Sequence, residues 1–323
     1  VYRLLKHLID QYDFFVACPI DFPYYEKYTE LLGKEKIIEI PHRKFTIKDL
    51  YRIRKFIKTN SIKVLHSHGK GAGIYSRLLK LIVPSVKIVH TFHGLHIGEY
   101  DRLQTKIYIL LEKLFSLFTT KLISVSNGEA RLILDYKICK KYKLKIITNG
   151  VEIPELSSKV KTYSPPFKVV SISRFDFQKN SEMILDILII LQKLNQIKDF
   201  EFHFMGDGAK RKELESEISK QNFQKHVKFH GTMQNPLQIM EDMNCYLSTS
   251  RWEGLPLAMI EAMSIGLPVV ASRVTGNNEL IQDGQTGFLF DIANPEMAVD
   301  KLIVLKNNKD LCLISKKMSK PTF

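Results

Sequence analysis

The 323 residues are 45% hydrophobic and 25% charged, enough apolar material for two ordinary cores. No apolar run reaches the roughly 18 uninterrupted residues of a spanning helix, because Glu112 and Lys113 break one stretch and Asp186 another, and Cys18, Cys139, Cys245 and Cys312 lie too far apart for a CxxC zinc or redox site, so they read as reduced thiols of a cytoplasmic protein. The net charge of +14 sits almost wholly in residues 1–160, with 28 Lys and Arg against 15 Asp and Glu, while 161–323 carry 20 against 19; a basic half suits an anionic membrane surface, with a solvated lysine-rich face as the plainer reading.

The chain opens on Val1 with a helical pattern over 1–8 and no signal-peptide triad, and reads as the greater part of a longer chain. Short apolar runs at 14–17, 37–40, 62–66, 87–91, 122–125 and 145–147 are the strand candidates of the first half, with helices between them at 47–58 and 106–118. Segment 47–58 sets Lys48, Arg52, Arg54, Lys55 and Lys58 beside Leu50, Ile53, Phe56 and Ile57, which fits either a crossover helix packed on its sheet or an amphipathic helix touching a leaflet.

Residues 154–166 hold three prolines and no apolar period, so they form the linker between a domain over 1–153 and a domain over 167–323. A second strand series follows at 168–173, 200–205, 227–230, 245–247, 268–271 and 288–290, then a helix near 295–306. Strand and helix alternating from end to end is the pattern of parallel α/β sheets, here two doubly wound Rossmann-like domains facing a central cleft, with ligands expected at the carboxyl ends of the strands.

The strongest motif is Glu253-Gly254-Leu255-Pro256-Leu257 through Glu261, after the strand at 245–247. Pro256 suits the first helical turn, where its missing N–H costs nothing. Glu253 and Glu261 then stand about 12 Å apart or somewhat less, the scale of a nucleotide sugar, with the helix N-terminus facing a diphosphate between them. Arg174 and Lys179 project from the loop after 168–173, where cations neutralise a leaving diphosphate. Gly206-Asp207-Gly208 closes the next strand with a tight turn, and Phe229-His230-Gly231 ends a third where a nucleobase can rest.

His66, His68, His90 and His93 lie at adjacent strand ends, but no carboxylate or cysteine joins them at ligand spacing, so no metal site is assigned. His93, beside Gly94, is placed to reach a donor sugar. Against a nucleotide-dependent dehydrogenase or epimerase stands the spacing of Gly69, Gly71 and Gly73, GxGxG without the third position of GxGxxG, and against a nucleic-acid binder the lack of an aromatic-interleaved basic motif or finger spacing.

Taken together, Arg174, Lys179, Gly206-Asp207-Gly208, Phe229-His230-Gly231, Glu253-Gly254-Leu255-Pro256 and Glu261, continued by Asn277-Asn278-Glu279 and Gly287-Phe288-Leu289, resemble glycosyltransferase family 4, the retaining GT-B enzymes of group 1 type with a Glu-x7-Glu signature. The resemblance covers essentially the whole chain. It implies Glu261 on the donor ribose, Glu253 on the transferred sugar, Arg174 and Lys179 on the diphosphate, and His93 near the reacting carbon. It implies a UDP- or GDP-sugar as co-substrate, no other cofactor and no divalent metal, and the chain contains no Asp-x-Asp triplet. Together with the basic first half, the expectation is transfer of a hexose-type sugar to a polysaccharide, lipopolysaccharide or lipid-linked acceptor at the inner face of the cytoplasmic membrane. Two departures from the family pattern are a start already inside the first helix and an altered end around 316–323. The rival of another class is a noncatalytic partner subunit that keeps the fold and the nucleotide site.

Overall fold

The computed structural model describes residues 1–42, 44–153 and 165–308, apart from the side chains of His96 and Glu99. Most of the expected linker, 154–164, and the chain end from 309 lie outside the described residues. The chain falls into two compact units: Val1–Phe92, Lys106–Ile123 and Leu134–Lys145 make one, and His93–Thr105, Ser124–Ile133 and everything from Ile146 make the other.

In chain order the first half runs α1 (Tyr2–Leu8), β1 (Val16–Cys18), α2 (Tyr24–Leu32), β2 (Ile37–Glu39), α3 (Ile47–Thr59), β3 (Val64–His68), α4 (Gly69–Ile82), β4 (Lys87–Thr91), α5 (Arg102–Leu117), β5 (Lys121–Ser124), α6 (Asn127–Asp135) and β6 (Leu144–Ile146). β1 and β2 pair in parallel, and a separate sheet has the order β3-β4-β5-β6. Strand β3 starts two residues later than the apolar run at 62–66 implies, because Ile62 closes the preceding helix. Its N–H reaches Ile57 O at 3.0 Å past Ser61 at φ 52°, the 6→1 bond of a Schellman end.

Thr46 caps α3 by accepting from Asp49 N at 3.0 Å. Ile53 and Ile57 are buried in a core with Leu79, Val83 and Ile88. Of the two readings of 47–58, the packed crossover helix is the one the structure has.

The second half runs β7 (Phe167–Ile172), α7 (Met183–Lys193), β8 (Phe200–Met205), α8 (Arg211–Lys220), β9 (Val227–Gly231), α9 (Leu237–Met240), β10 (Cys245–Ser248), α10 (Leu257–Ser264), β11 (Val269–Ser272), α11 (Asn277–Leu280), β12 (Phe288–Phe290) and α12 (Pro295–Asn307). Its sheet is parallel in the order β12-β11-β10-β7-β8-β9. One face packs Ile187, Leu188, Leu214 and Leu302, the other Met240, Met259 and Ala262. Coverage on both faces is why β10 and β11, buried at every position, are apolar up to their closing serines, Ser248 and Ser272.

Strand order reverses between β7 and β10. A crevice opens at the carboxyl ends of such a pair, so the loops 173–182 and 249–256 are where this sheet offers a ligand site.

Candidate active site

The loop after β7 is pinned at both ends. Ser173 N donates to Met205 O at 3.0 Å, Phe175 N to Asp207 O at 3.1 Å, and Lys179 N to Asp176 O at 3.2 Å. The Phe175 ring is sunk in the core. Thr249, at the end of β10, donates its hydroxyl to Lys179 O at 2.9 Å, while Gln178 Nε2 reaches Trp252 O at 3.0 Å and Arg251 N reaches Gln178 O at 2.8 Å. The two loops are therefore laced together by backbone groups before any charge meets.

Lys179 Nζ then donates to Glu253 Oε1 at 2.5 Å, and Ser250 Oγ donates to the same oxygen at 2.6 Å. Glu253 is 7% exposed and the Lys179 side chain 19%. Two residues 74 apart in sequence are thus one ion pair at the switch point. Arg174 is held within its own loop, 3.2 Å from Gln178 Oε1 and 3.2 Å from Asp176 Oδ2, with half its side chain in solvent.

Gly254 explains how His93 comes to this place. A Cβ there would fall 2.7 Å from Gly94 N and 2.9 Å from the His93 carbonyl carbon, so the two backbones come this close only because Gly254 carries no side chain. Gly94 also has φ 99°, a conformation other residues rarely adopt. His93 itself is exposed beside this contact.

Sequence reasoning missed the residue that holds the His93-Gly94 turn. Glu129, buried in α6, accepts from Gly94 N at 2.5 Å, Ser124 Oγ at 3.0 Å and Val125 N at 3.1 Å. Burial pushes its carboxyl above the usual range, against those three donors, which pull it down. Its signal was legible as a capping box, Ser126-Asn-Gly-Glu129, in which Ser126 Oγ accepts from Glu129 N at 3.1 Å. Glu279 was seen only as part of a family pattern, and its carboxylate accepts from Asn127 N at 2.8 Å and Gly128 N at 2.5 Å at the start of α6.

Pro256 is not in the first turn of α10 as expected but at its N-cap, with φ −74° and ψ 111°, so the helix begins at Leu257. Leu255 and Pro256 are buried, Leu257 is exposed, and Glu261 lies partly buried within α10. Gly206 has φ 125° and carries no Cβ that would strike Ser173 O, and a Cβ on Gly208 would fall 2.5 Å from Phe175 O, so both glycines let the β7 loop pass.

His230 stacks on His203 at 5.2 Å between ring centroids, with 3.0 Å between His203 Nδ1 and His230 Nε2, and His203 Nε2 lies 2.6 Å from Glu201 Oε1. Burial lowers both histidine pKa values. With both rings neutral, His203 Nε2–H donates to Glu201 Oε1, so His203 Nδ1 accepts from His230 Nε2–H. Among the described residues no three His, Cys, Asp or Glu side chains gather as a metal site, and His90 is packed against Phe92 and 3.0 Å from Ser67 Oγ.

Comparison with known proteins extends this geometry. A family profile for glycosyl transferases group 1 matches residues 152–320, and one for glycosyltransferase family 4 matches residues 1–154. The chain is 26% identical over 282 residues to a UDP-Gal:alpha-D-GlcNAc-diphosphoundecaprenol alpha-1,3-galactosyltransferase of Escherichia coli, covering 84% of this chain and 73% of the relative. A structure of Anabaena HepE in complex with UDP and glucose superposes with a TM-score of 0.79 at 16% identity, over 100% of this chain and 90% of that one. A mutant of S. aureus TarM in complex with Fondaparinux, alpha-GlcNAc-glycerol and UDP gives 0.70 at 22% identity over 84% of this chain, which spans about half (53%) of the TarM chain. The two structures show the fold, which is GT-B.

Proposed function

The chain belongs to the glycosyl transferases of group 1, and on that premise we propose that it moves a hexose-type sugar from a UDP or GDP donor to a polysaccharide, lipopolysaccharide or lipid-linked acceptor, with retention of configuration and no metal. The observation that carries this reading is the Lys179–Glu253 pair at the β7/β10 switch point. An ammonium has three donors, and Glu253 takes one, so Lys179 can hold the carboxylate and a phosphate oxygen together.

In this reading Glu253 receives the hydroxyls of the transferred sugar and Glu261 those of the ribose. The diphosphate lies at the start of α10, against Gly254, Leu255, Pro256 and Leu257, with Arg174 and Lys179 over it. The Gly206–Gly208 turn and His230 border the base. The acceptor hydroxyl attacks the anomeric carbon on the face from which the diphosphate leaves; its proton passes to the leaving phosphate oxygen, and His93 orients the sugar. The name of the E. coli relative supports a UDP donor and a lipid-linked acceptor, and the complex of HepE with UDP and glucose supports the same donor class. We also place the division between two domains at 154–166 and the protein on the inner face of the cytoplasmic membrane. No helix of the described residues is long and apolar enough to cross a membrane.

Release of nucleotide from UDP- and GDP-sugars, with and without chelator, tests the reading. Slow donor hydrolysis is expected, indifferent to chelator and lost in His93→Ala. Nucleotide binding with no turnover in any donor and acceptor combination would instead make the chain a binding subunit.

A further inference from the structure

We propose that the outer face of α5 is the surface through which this protein docks on an anionic lipid bilayer. A helix in water turns its leucines inward; α5 turns a row of them to solvent. Ile107, Leu110, Leu111, Leu114 and Leu117, all of the first compact unit, are between 45% and 70% exposed. Their spacing of three and four residues puts them on one stripe. On the opposite face Glu112 is buried and takes both Nη1 (2.5 Å) and Nη2 (3.3 Å) of Arg77, a guanidinium fully buried under the helix and also donating to Gly73 O at 2.8 Å.

That ion pair fixes the rotation of the helix. Turning the leucines inward would expose or strand a buried carboxylate and a buried guanidinium, so the apolar stripe is held facing out. An exposed apolar face of this size marks an interaction surface.

The occupant follows from charge. Lys106 and Lys113 run along one edge of the stripe, and Glu112, the sole acid of the helix, is already paired with Arg77. Basic residues beside an apolar stripe are drawn to anionic headgroups while the leucines enter the acyl boundary. The same half of the chain carries 28 Lys and Arg against 15 Asp and Glu. A second copy is a poorer fit, because antiparallel pairing of two α5 stripes would set the basic edge against itself. The membrane reading of 47–58 thus moves to another helix, since α3 has its apolar face in the core.

The proposal rests on a lipid-linked acceptor and is tested without one. Vesicles of equal parts phosphatidylglycerol and phosphatidylcholine are floated with the full chain in the absence of donor. The expected result is binding that weakens about tenfold or more on changing Leu110, Leu114 and Leu117 to Gln together. Leu194→Gln, an exposed leucine of the other unit, leaves it unchanged, and Lys106→Glu with Lys113→Glu removes its salt dependence.

The melting temperature and UDP affinity of the leucine variant stay at the parent values, which separates lost docking from lost folding. No flotation of the parent, equal flotation of the leucine variant, or self-association in sedimentation that the same changes abolish without any vesicle binding would overturn the proposal. A chain that hydrolyses donor and does not float refutes the docking alone; one that floats and binds no nucleotide refutes the proposed function alone.

Discussion

The loops after β7 and β10 and the outer face of α5 both hold side chains where folding alone would not leave them, and they do so in opposite ways. At the loops, an acid and a base are drawn inside and closed on one another, Glu253 against Lys179 and Ser250. Along α5, an ion pair is also drawn inside, but what it leaves outside is a row of leucines with nothing of the described residues over them. Charge already partnered at a sheet's switch point is chemistry prepared in advance, and its removal is read in turnover. Apolar surface held outward is read in binding to something else.

The largest effect expected at the loops comes from Glu253→Ala, which removes the sugar-facing carboxylate and leaves Lys179 without its partner. Transfer or donor hydrolysis falls about 10²–10³-fold in kcat/KM. A loss confined to KM would assign Glu253 to uniform binding rather than to the reacting centre.

Next comes Gly254→Ala, whose methyl meets Gly94 N and the His93 carbonyl carbon. It should cost about 1–3 kcal/mol of stability, read as a lower melting temperature, together with a loss of turnover. An unchanged melting temperature would mean that the close approach of the two backbones is relieved at no cost.

Glu129→Gln comes third, at a buried carboxylate that holds the His93-Gly94 turn without lining the proposed donor site. Its folded pKa is raised, so the stability it contributes is fully present below the ordinary value of 4.5 and is lost as pH rises through the folded pKa. The parent therefore loses stability across that window, and Glu129→Gln flattens the loss. Turnover in the variant falls about tenfold through kcat with KM nearly constant, because the His93-Gly94 turn loosens.

The smallest effect belongs to His203 and His230. Their pKa values are lowered, so the stability they contribute is present above 6.5 and is lost as pH falls through the folded values. His230→Gln should flatten the acid side of a melting-temperature profile and leave the side above 6.5 unchanged.

The regular elements were largely legible. β4, β8 and β12 coincide with their apolar runs because Gly, Pro and charged residues punctuate them on both sides. The loops' motif was legible because Gly254 and Pro256 mark a strand-to-helix turn. Its pairing with Lys179 was not, since a contact across 74 residues is set by strand order, and strand order is decided by packing. Glu112 shows the other kind of failure. In sequence it merely interrupts an apolar run, and leucines spaced by three and four imply a core-facing stripe. The buried arginine on α4 is what turns that stripe outward.

Diphosphate binding by Lys179 is decided by titration calorimetry of UDP and GDP against the parent chain and Lys179→Met. One nucleotide should bind per chain for at least one of the two, weakened about tenfold or more by Lys179→Met through loss of a charge-assisted bond to the diphosphate. No binding of either nucleotide, or equal affinity in the variant, would contradict it.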